Sequence, residues 1–521
     1  MQTPTTTPEP YQPPKGVQTT HTLKLFEPED LQDANPTRYK ESLSYQATAD
    51  WMVLRKKEKA VAEMFYVFYQ ASPTTNLTGK PRPVTFVFNG GPGAASAYLH
   101  IGALGPKRVI FNKDGSIPRP PAQLTDNQES WLSFTDLVFI DPIGTGFSRT
   151  VEEVENAKKP NPAPDEKQPP KQEGSPPKEF YQLNRDLESL GEFMSKFLSK
   201  YKLWSAPVFL AGESYGGFRV GKLVRKLQEE IGIGLSGAIL ISPALELSLL
   251  QGCDYDALPW LDLFPSLVLA AHHHRKSKVF SLDTSLQEII NTAEQFATQD
   301  LAALLTQGAL MPSLQKNNTL ARIAELLGIN PEFISKKEGR ISCSDYSREI
   351  LRSEQKICGL YDASMTVTDP FPDRDNHQGP EPTLSAAERV FTGGINTQLR
   401  QVLGLETERD YHTLSMEVNE TWKVDGKKHA FDIQIGATDD LRYGMALNPY
   451  MKVFIAHGYY DLVTPYFSSH RLSQHMKLTQ EQKKNLILKH FKGGHMFYTW
   501  DESRKLFKSE IENLYRNIEK N

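Results

Sequence analysis

Ser214 stands in Ala211-Gly212-Glu213-Ser214-Tyr215-Gly216-Gly217, directly after the apolar run Val208-Phe209-Leu210 and directly before an amphipathic stretch that opens at Phe218-Arg219-Val220. A serine between glycines where a strand turns into a helix is a nucleophile elbow. The turn is so tight that only small neighbours fit, and it lifts the hydroxyl above the sheet at a helix start. A serine hydroxyl is a weak nucleophile by itself, so the site needs a base, an acid to orient that base, and donors for a developing oxyanion. A glycine-rich turn with an incidental serine would use the same letters, and only the surrounding motifs separate the two readings.

Those motifs are present. Asn89-Gly90-Gly91-Pro92-Gly93 follows the apolar run Val84 to Phe88, where the loop of an oxyanion hole belongs. Glycines let backbone approach a reacting carbonyl, and Pro92 has no N–H, so the expected donors are the N–H groups of Gly91 and Tyr215. A plain strand-to-helix turn would not require this position relative to the elbow. In this arrangement acid and base follow the serine in the order Asp or Glu, then His. Asp461 lies in the loop after Val453-Phe454-Ile455, and His495 follows two glycines in Phe491-Lys492-Gly493-Gly494-His495-Met496. His457 is the competing histidine, but it precedes the acid, which makes it a packed residue at a strand end.

The elements that must position these residues are legible as short apolar runs. Val84 to Phe88, Leu137 to Ile140, Val208 to Leu210, Ala238 to Ile241, Val453 to Ile455 and Leu486 to Leu488 each have the length of a strand buried on both faces. Between Leu183 and Leu198, Leu187, Leu190, Phe193, Met194 and Phe197 fall at helical spacing. Buried strands alternating with helices predict an α/β protein with a mainly parallel sheet covered on both faces, and the nucleophile elbow on such a sheet makes the α/β-hydrolase fold the expectation. Tyr45 to Leu54 and Ala62 to Gln70 flank a charged turn and read as a hairpin. The expected organisation is a disordered tail over 1–20, a first core part over 21–245 with a mobile loop at 151–178, an inserted cap over 246–448, and a second core part over 449–521. Helical periodicity at Leu286, Ile289, Ile290, Ala293 and Phe296, and again at Leu320, Ile323, Ala324 and Leu327, makes the cap largely helical.

The bulk properties remove several function classes. A formal charge of -4 over 521 residues, with no basic cluster, argues against nucleic acid as a partner. No apolar run approaches the roughly 20 residues that span a bilayer, so no membrane segment is expected. The Thr/Pro-rich start lacks a signal-peptide pattern and the three cysteines form no paired framework, which makes the cytoplasm the expected compartment unless the start was processed. No metal or other cofactor is expected. Neighbouring residues in His272-His273-His274 point about 100° apart on a helix and cannot converge on one ion.

Taken together, four segments resemble the serine carboxypeptidase family, with the acid loop closest in form to its bacterial members. They are Asn89 to Gly93, Asp141-Pro142-Ile143-Gly144-Thr145-Gly146-Phe147-Ser148, Gly212 to Gly217 and Gly494-His495-Met496. The resemblance implies a peptidase that forms an acyl-enzyme on Ser214 and releases C-terminal amino acids from peptides with a free C-terminus. It also implies that Asn89 and Glu213 bind the substrate carboxylate, the Glu only when protonated, with better peptide turnover in acid. The resemblance departs at Ala103, where better known secreted members carry a glutamate. An esterase or acyltransferase would use the same triad, and a catalytically idle binding protein of this fold is the alternative from another class. Oligomeric state is not encoded in these patterns.

Overall fold

The computed structural model describes residues 11–26, 39–73, 79–157, 179–375, 379, 381–424 and 435–519. Nine strands carry the main sheet: β1 (Val17–Phe26), β2 (Tyr39–Lys56), β3 (Lys59–Ser72), β4 (Val84–Phe88), β5 (Asp136–Ile140), β6 (Val208–Glu213), β7 (Gly237–Ile241), β8 (Lys452–Gly458) and β9 (Leu486–Phe491). Their order across the sheet is β1-β2-β3-β5-β4-β6-β7-β8-β9, and a two-residue strand, Arg149–Thr150, also pairs with β3. From β5 to β9 every pairing is parallel, whereas β1, β2 and β3 pair antiparallel and β3 meets β5 antiparallel.

The parallel strands read as unbroken apolar runs because each face of the sheet buries alternate residues. Val87, Phe139, Phe209, Ile239 and Phe454 pack on one side with Phe507, Ile511 and Leu514 of the C-terminal helix Asp501–Glu519. Phe86, Val138, Leu210, Leu240 and Val453 pack on the other side. There they meet two helices, α1 (Leu183–Lys200) and α2 (Tyr215–Lys226). Helices sit on both faces of a mixed, mainly parallel sheet, the layering of an α/β-hydrolase.

Two boundaries differ from expectation. Within the stretch read as a tail, residues 1–10 lie outside the described residues, but Val17–Thr20 already belongs to β1, in register with Ala49 to Gln46. The Thr-rich composition hides a period of two in which Val17, Leu23 and Leu25 face the core. Within the stretch read as a mobile loop, residues 158–178 lie outside the described residues, but Val151–Ala157 is a helix. A reciprocal cap starts it: Thr150 N donates to Glu153 Oε2 at 2.7 Å and Glu153 N donates to Thr150 Oγ1 at 3.2 Å.

The inserted region is not one body. Helices Leu258–His273, Leu286–Phe296 and Ser313–Leu327 share their own apolar core, and Tyr460, Leu462 and Tyr466 from the second core part join it. Helix Pro382–Asn396 instead buries Ala387, Phe391 and Ile395 in the main core, and helix Thr438–Leu447 buries Leu441 and Met445 against the layer that holds α2.

Candidate active site

Ser214 occupies the junction of β6 and α2 with φ 61° and ψ −123°. That backbone conformation costs a non-glycine residue about 1–3 kcal/mol and persists only where the surroundings enforce it. Here close packing enforces it. A β-carbon on Gly90 would lie 2.5 Å from Tyr215 N and 2.7 Å from Glu213 O, one on Gly216 would lie 2.7 Å from Phe88 O, and one on Gly212 would lie 2.2 Å from Gly216 O. The Asn89–Gly93 loop and the elbow therefore touch backbone to backbone, and glycine is the residue that permits it. Two further bonds fix the turn: Ser214 N donates to Ile241 O at 2.9 Å and Ala244 N donates to Ser214 O at 3.2 Å.

This contact sets the backbone of Gly90 against the N–H of Tyr215. Gly91 follows with φ 96° and is exposed, and its N–H has no acceptor among the described residues. The loop is held from behind by Asp141, whose Oδ1 accepts from Ser96 N at 2.9 Å and from Tyr411 Oη at 3.1 Å. Burial pushes the Asp141 carboxyl up to about 7.

Asp461 and His495 follow β8 and β9 at the same end of the sheet. His495 Nδ1 donates to Asp461 Oδ2 at 2.7 Å. The other carboxylate oxygen, Oδ1, accepts from Val463 N at 2.8 Å and Thr464 N at 2.9 Å. Thr464 Oγ1 donates to Asp461 Oδ2 at 2.7 Å and also lies 3.0 Å from His495 Nδ1 and 3.0 Å from Ser242 O. Burial alone would lower the His495 pKa, but the charges of Asp461 and Glu213 outweigh it and hold it above its ordinary value. His457 is elsewhere: fully buried, its Nε2 is 2.8 Å from Ser469 Oγ, and burial drives it well below 6.5, so it packs as a neutral ring.

Glu213, one residue before Ser214, is buried with Asn89. Asn89 Nδ2 donates to its Oε2, and Tyr498 Oη lies 2.9 Å from Oε1 and 3.0 Å from Oε2. Burial pushes the Glu213 carboxyl up to about 7; Asp461 adds to this, while His495, Tyr498 and Asn89 act against it. Asn89 is itself fixed, its Oδ1 accepting from Leu99 N at 3.0 Å and its O from Arg219 Nη1 at 2.8 Å.

Four residues of this site escaped sequence reasoning. Thr464 and Tyr498 each stand three positions after a candidate residue, close enough in sequence to have been noticed, but nothing in a spacing tells where a hydroxyl points. Tyr361 and Asp362 come from the inserted region, which carries no local signature for them. There the chain bridges the two loops: Leu462 N donates to Leu360 O at 3.0 Å, His495 N to Tyr361 O at 2.5 Å and Ala363 N to Tyr460 O at 2.9 Å. Asp362 Oδ2 accepts from Gly494 N at 2.9 Å, and the Tyr361 ring meets the His495 imidazole edge-on at 5.2 Å.

The model of the family described as serine carboxypeptidase matches residues 38–506. The chain belongs to the serine carboxypeptidase family. Serine carboxypeptidase-like 9 of Arabidopsis thaliana is 22% identical over 251 residues, 46% of this chain and 50% of that protein. Pheromone-processing carboxypeptidase KEX1 of Saccharomyces cerevisiae is 32% identical over 166 residues, 31% of this chain and 19% of that protein. The matched segments thus span half the length of the plant serine carboxypeptidase relative and less of the yeast one. The solved structure of Kex1(Δ)p, a prohormone-processing carboxypeptidase from the same yeast, superposes with a TM-score of 0.51 at 17% identity over 91% of both chains, which shows a common fold. No helix among the described residues of this serine carboxypeptidase family member is long and apolar enough to cross a membrane.

Proposed function

We propose that the protein is a serine-type carboxypeptidase that removes the C-terminal amino acid of peptides through an acyl-enzyme on Ser214. The observation that carries this reading is the buried Glu213 carboxyl beside the elbow, clasped by Asn89 and Tyr498 and poised to hold a proton near neutrality. A carboxyl in that state binds a second carboxylate by donating its proton, which is what recognition of a free C-terminus requires.

In the proposed reaction Ser214 Oγ attacks the scissile carbonyl carbon while its proton passes to His495 Nε2, the nitrogen left over when Nδ1 is bound to Asp461. The carbonyl oxygen becomes an oxyanion held by the N–H groups of Gly91 and Tyr215. Collapse breaks the C–N bond, the leaving amine takes the proton from His495, and the C-terminal amino acid departs. Water then attacks the ester carbon as His495 takes its proton; the C–Oγ bond breaks, His495 returns the proton to Ser214 Oγ, and the shortened peptide leaves as its carboxylic acid.

The sign of the pH dependence follows from Glu213. Below about 7 it is protonated and donates to the substrate carboxylate; above that it is charged and repels it. Protonating Glu213 also removes one of the two charges that raise the His495 pKa, which helps His495 remain a neutral base in mildly acidic solution. The test is amino-acid release from an N-blocked dipeptide and from its C-terminal amide across pH, with the Ser214→Ala variant beside the wild type. Cleavage is expected to need the free carboxylate, to weaken above about pH 7, and to fall by a thousand-fold or more in the variant, roughly the scale of losing a nucleophile. Equal or better peptide turnover in alkali would count against the role of Glu213. Ser214-dependent ester hydrolysis without peptide cleavage would make the protein an esterase or acyltransferase. A Ser214 that a fluorophosphonate does not label would make it an idle binding protein.

A further inference from the structure

Tyr498 is fully buried, and its hydroxyl is within bonding distance of both oxygens of Glu213, 2.9 Å from Oε1 and 3.0 Å from Oε2. The tyrosine sits on the short helical turn Phe497–Thr499, immediately after the His495 loop. Its ring lies against the turn His100–Leu104, close enough that a β-carbon on Gly102 would come within 3.0 Å of Tyr498 Cε2. The next residue, Ala103, is buried and contributes only a methyl group. The group that meets the Glu213 carboxyl on the side of Tyr498 is a neutral phenol.

We propose that Tyr498 is the positioning residue for substrate-carboxylate recognition, a donor that orients the Glu213 carboxyl toward the bound C-terminus. The inference rests on the carboxypeptidase reading and deepens it. A carboxyl that must offer its single O–H to a ligand needs its other oxygen engaged, or it rotates and the proton points elsewhere. Asn89 holds Oε2 from one side, and Tyr498 spans both oxygens from the other. When Glu213 is charged, the phenol donates to a carboxylate, a bond that favours the ionised form. When Glu213 is protonated, the phenol donates to the carbonyl oxygen and leaves the acid O–H for the substrate. A second carboxylate in the place of Tyr498 would do the reverse, favouring protonation through like charge. The pH at which recognition is lost is accordingly set first by the burial of Glu213 and then by a balance among the titratable groups around it. These are His495 and Asp461 of the base and acid loops, Tyr498, Tyr98 of the segment following the oxyanion loop, and Tyr361 of the inserted region.

The experiment compares kcat/KM for an N-blocked dipeptide and its C-terminal amide across pH in wild type and in Tyr498→Phe, which keeps the ring and removes the donor. In the variant the acid-to-amide ratio should drop about five- to ten-fold in mildly acidic solution, the worth of one hydrogen bond to a functional carboxyl. The alkaline limb of the free-acid profile should move up by about one pH unit, because the group favouring the charged form is gone. Replacing Tyr498 by 3-fluorotyrosine, whose phenol is a stronger donor of unchanged shape, should move the limb down, and this second arm stands even if Tyr498→Phe does not fold. A wild type that discriminates acid from amide alongside variants with unchanged ratio and limb overturns the role of Tyr498 alone. A wild type indifferent to the carboxylate overturns the carboxypeptidase reading and this inference with it.

Discussion

Thr464 holds both members of the Asp461–His495 pair at once. Its hydroxyl has a single proton, which serves Asp461 Oδ2 at the shorter distance, so its lone pairs are free to face the His495 Nδ1–H. Together with the two backbone donors on Oδ1, this leaves the Asp461 carboxylate one orientation and His495 one tautomer, the one whose Nε2 is unprotonated as the proposed reaction requires. Thr464→Val should therefore lower kcat roughly five- to ten-fold, the scale of one hydrogen bond, with KM little changed. Thr464→Ser should restore most of it. Steady-state kinetics on an ester substrate checks both, and a valine variant with wild-type kcat would reduce Thr464 to packing. At this scale the sequence was most informative where chemistry forces a pattern. Ser214 stands between glycines because the turn is crowded by its own neighbours, and local crowding leaves its mark in adjacent letters; the glycines of the Asn89–Gly93 loop meet the same elbow across the fold.

The helices and loops transmit this order through a buried ion pair and a bridging segment. Arg219 on α2 reaches Asp186 on α1 with bonds of 2.7 Å and 3.1 Å, and both side chains are inaccessible to solvent. Its remaining nitrogen, Nη1, binds the carbonyl of Asn89, so a single guanidinium ties the elbow helix to the Asn89–Gly93 loop. Arg219→Met would strand a buried carboxylate and should cost about 3–5 kcal/mol of stability. Denaturant titration measures this. Arg219→Met with Asp186→Leu should recover much of the loss by removing the orphan charge as well, and a single variant as stable as wild type would refute the argument. The helices α1 and α2 were legible from their periodicity, because each buries one apolar stripe on the sheet. The Leu360 to Ala363 bridge was not. It makes backbone bonds to loops about a hundred residues away in sequence, and backbone bonds have no side-chain signature.

Across the whole molecule, buried titratable groups pull stability in two directions. Burial lowers His100 to about 3, His490 to about 4 and His457 well below 6.5. As pH falls below 6.5 the unfolded chain takes up protons that these folded residues refuse, and stability falls. Burial raises Asp136 and Asp362 to about 6 and Asp141 and Glu213 to about 7. Between the unfolded values near 4 and these folded ones the native state keeps protons that the unfolded chain has released, so stability rises as pH falls. The two sets oppose each other over the same interval. The melting temperature should therefore stay nearly level from about pH 6.5 to about pH 5 and drop only below about pH 4, where the carboxyl contribution has run its course and the histidines still act. Thermal melts across this range test the balance; a steep loss between about pH 6.5 and about pH 5 would mean that the histidines dominate.

What the sequence determined by itself is whatever nearest neighbours along the chain dictate. The parallel strands are encoded in their burial on both faces, and the elbow in its flanking glycines. The tertiary structure alone decided which hydroxyl reaches Glu213, which threonine clasps Asp461 and His495, and how the inserted region splits between its own core and the main one. Those contacts join segments far apart in the chain, and their energies depend on distances and burial that composition and spacing do not carry. The strand over Val17–Thr20 follows the same rule, being fixed by its partner β2, whereas the helix over Val151–Ala157 rests on a local cap between Thr150 and Glu153. A partner strand and a reciprocal cap outweighed a composition that by itself reads as loop.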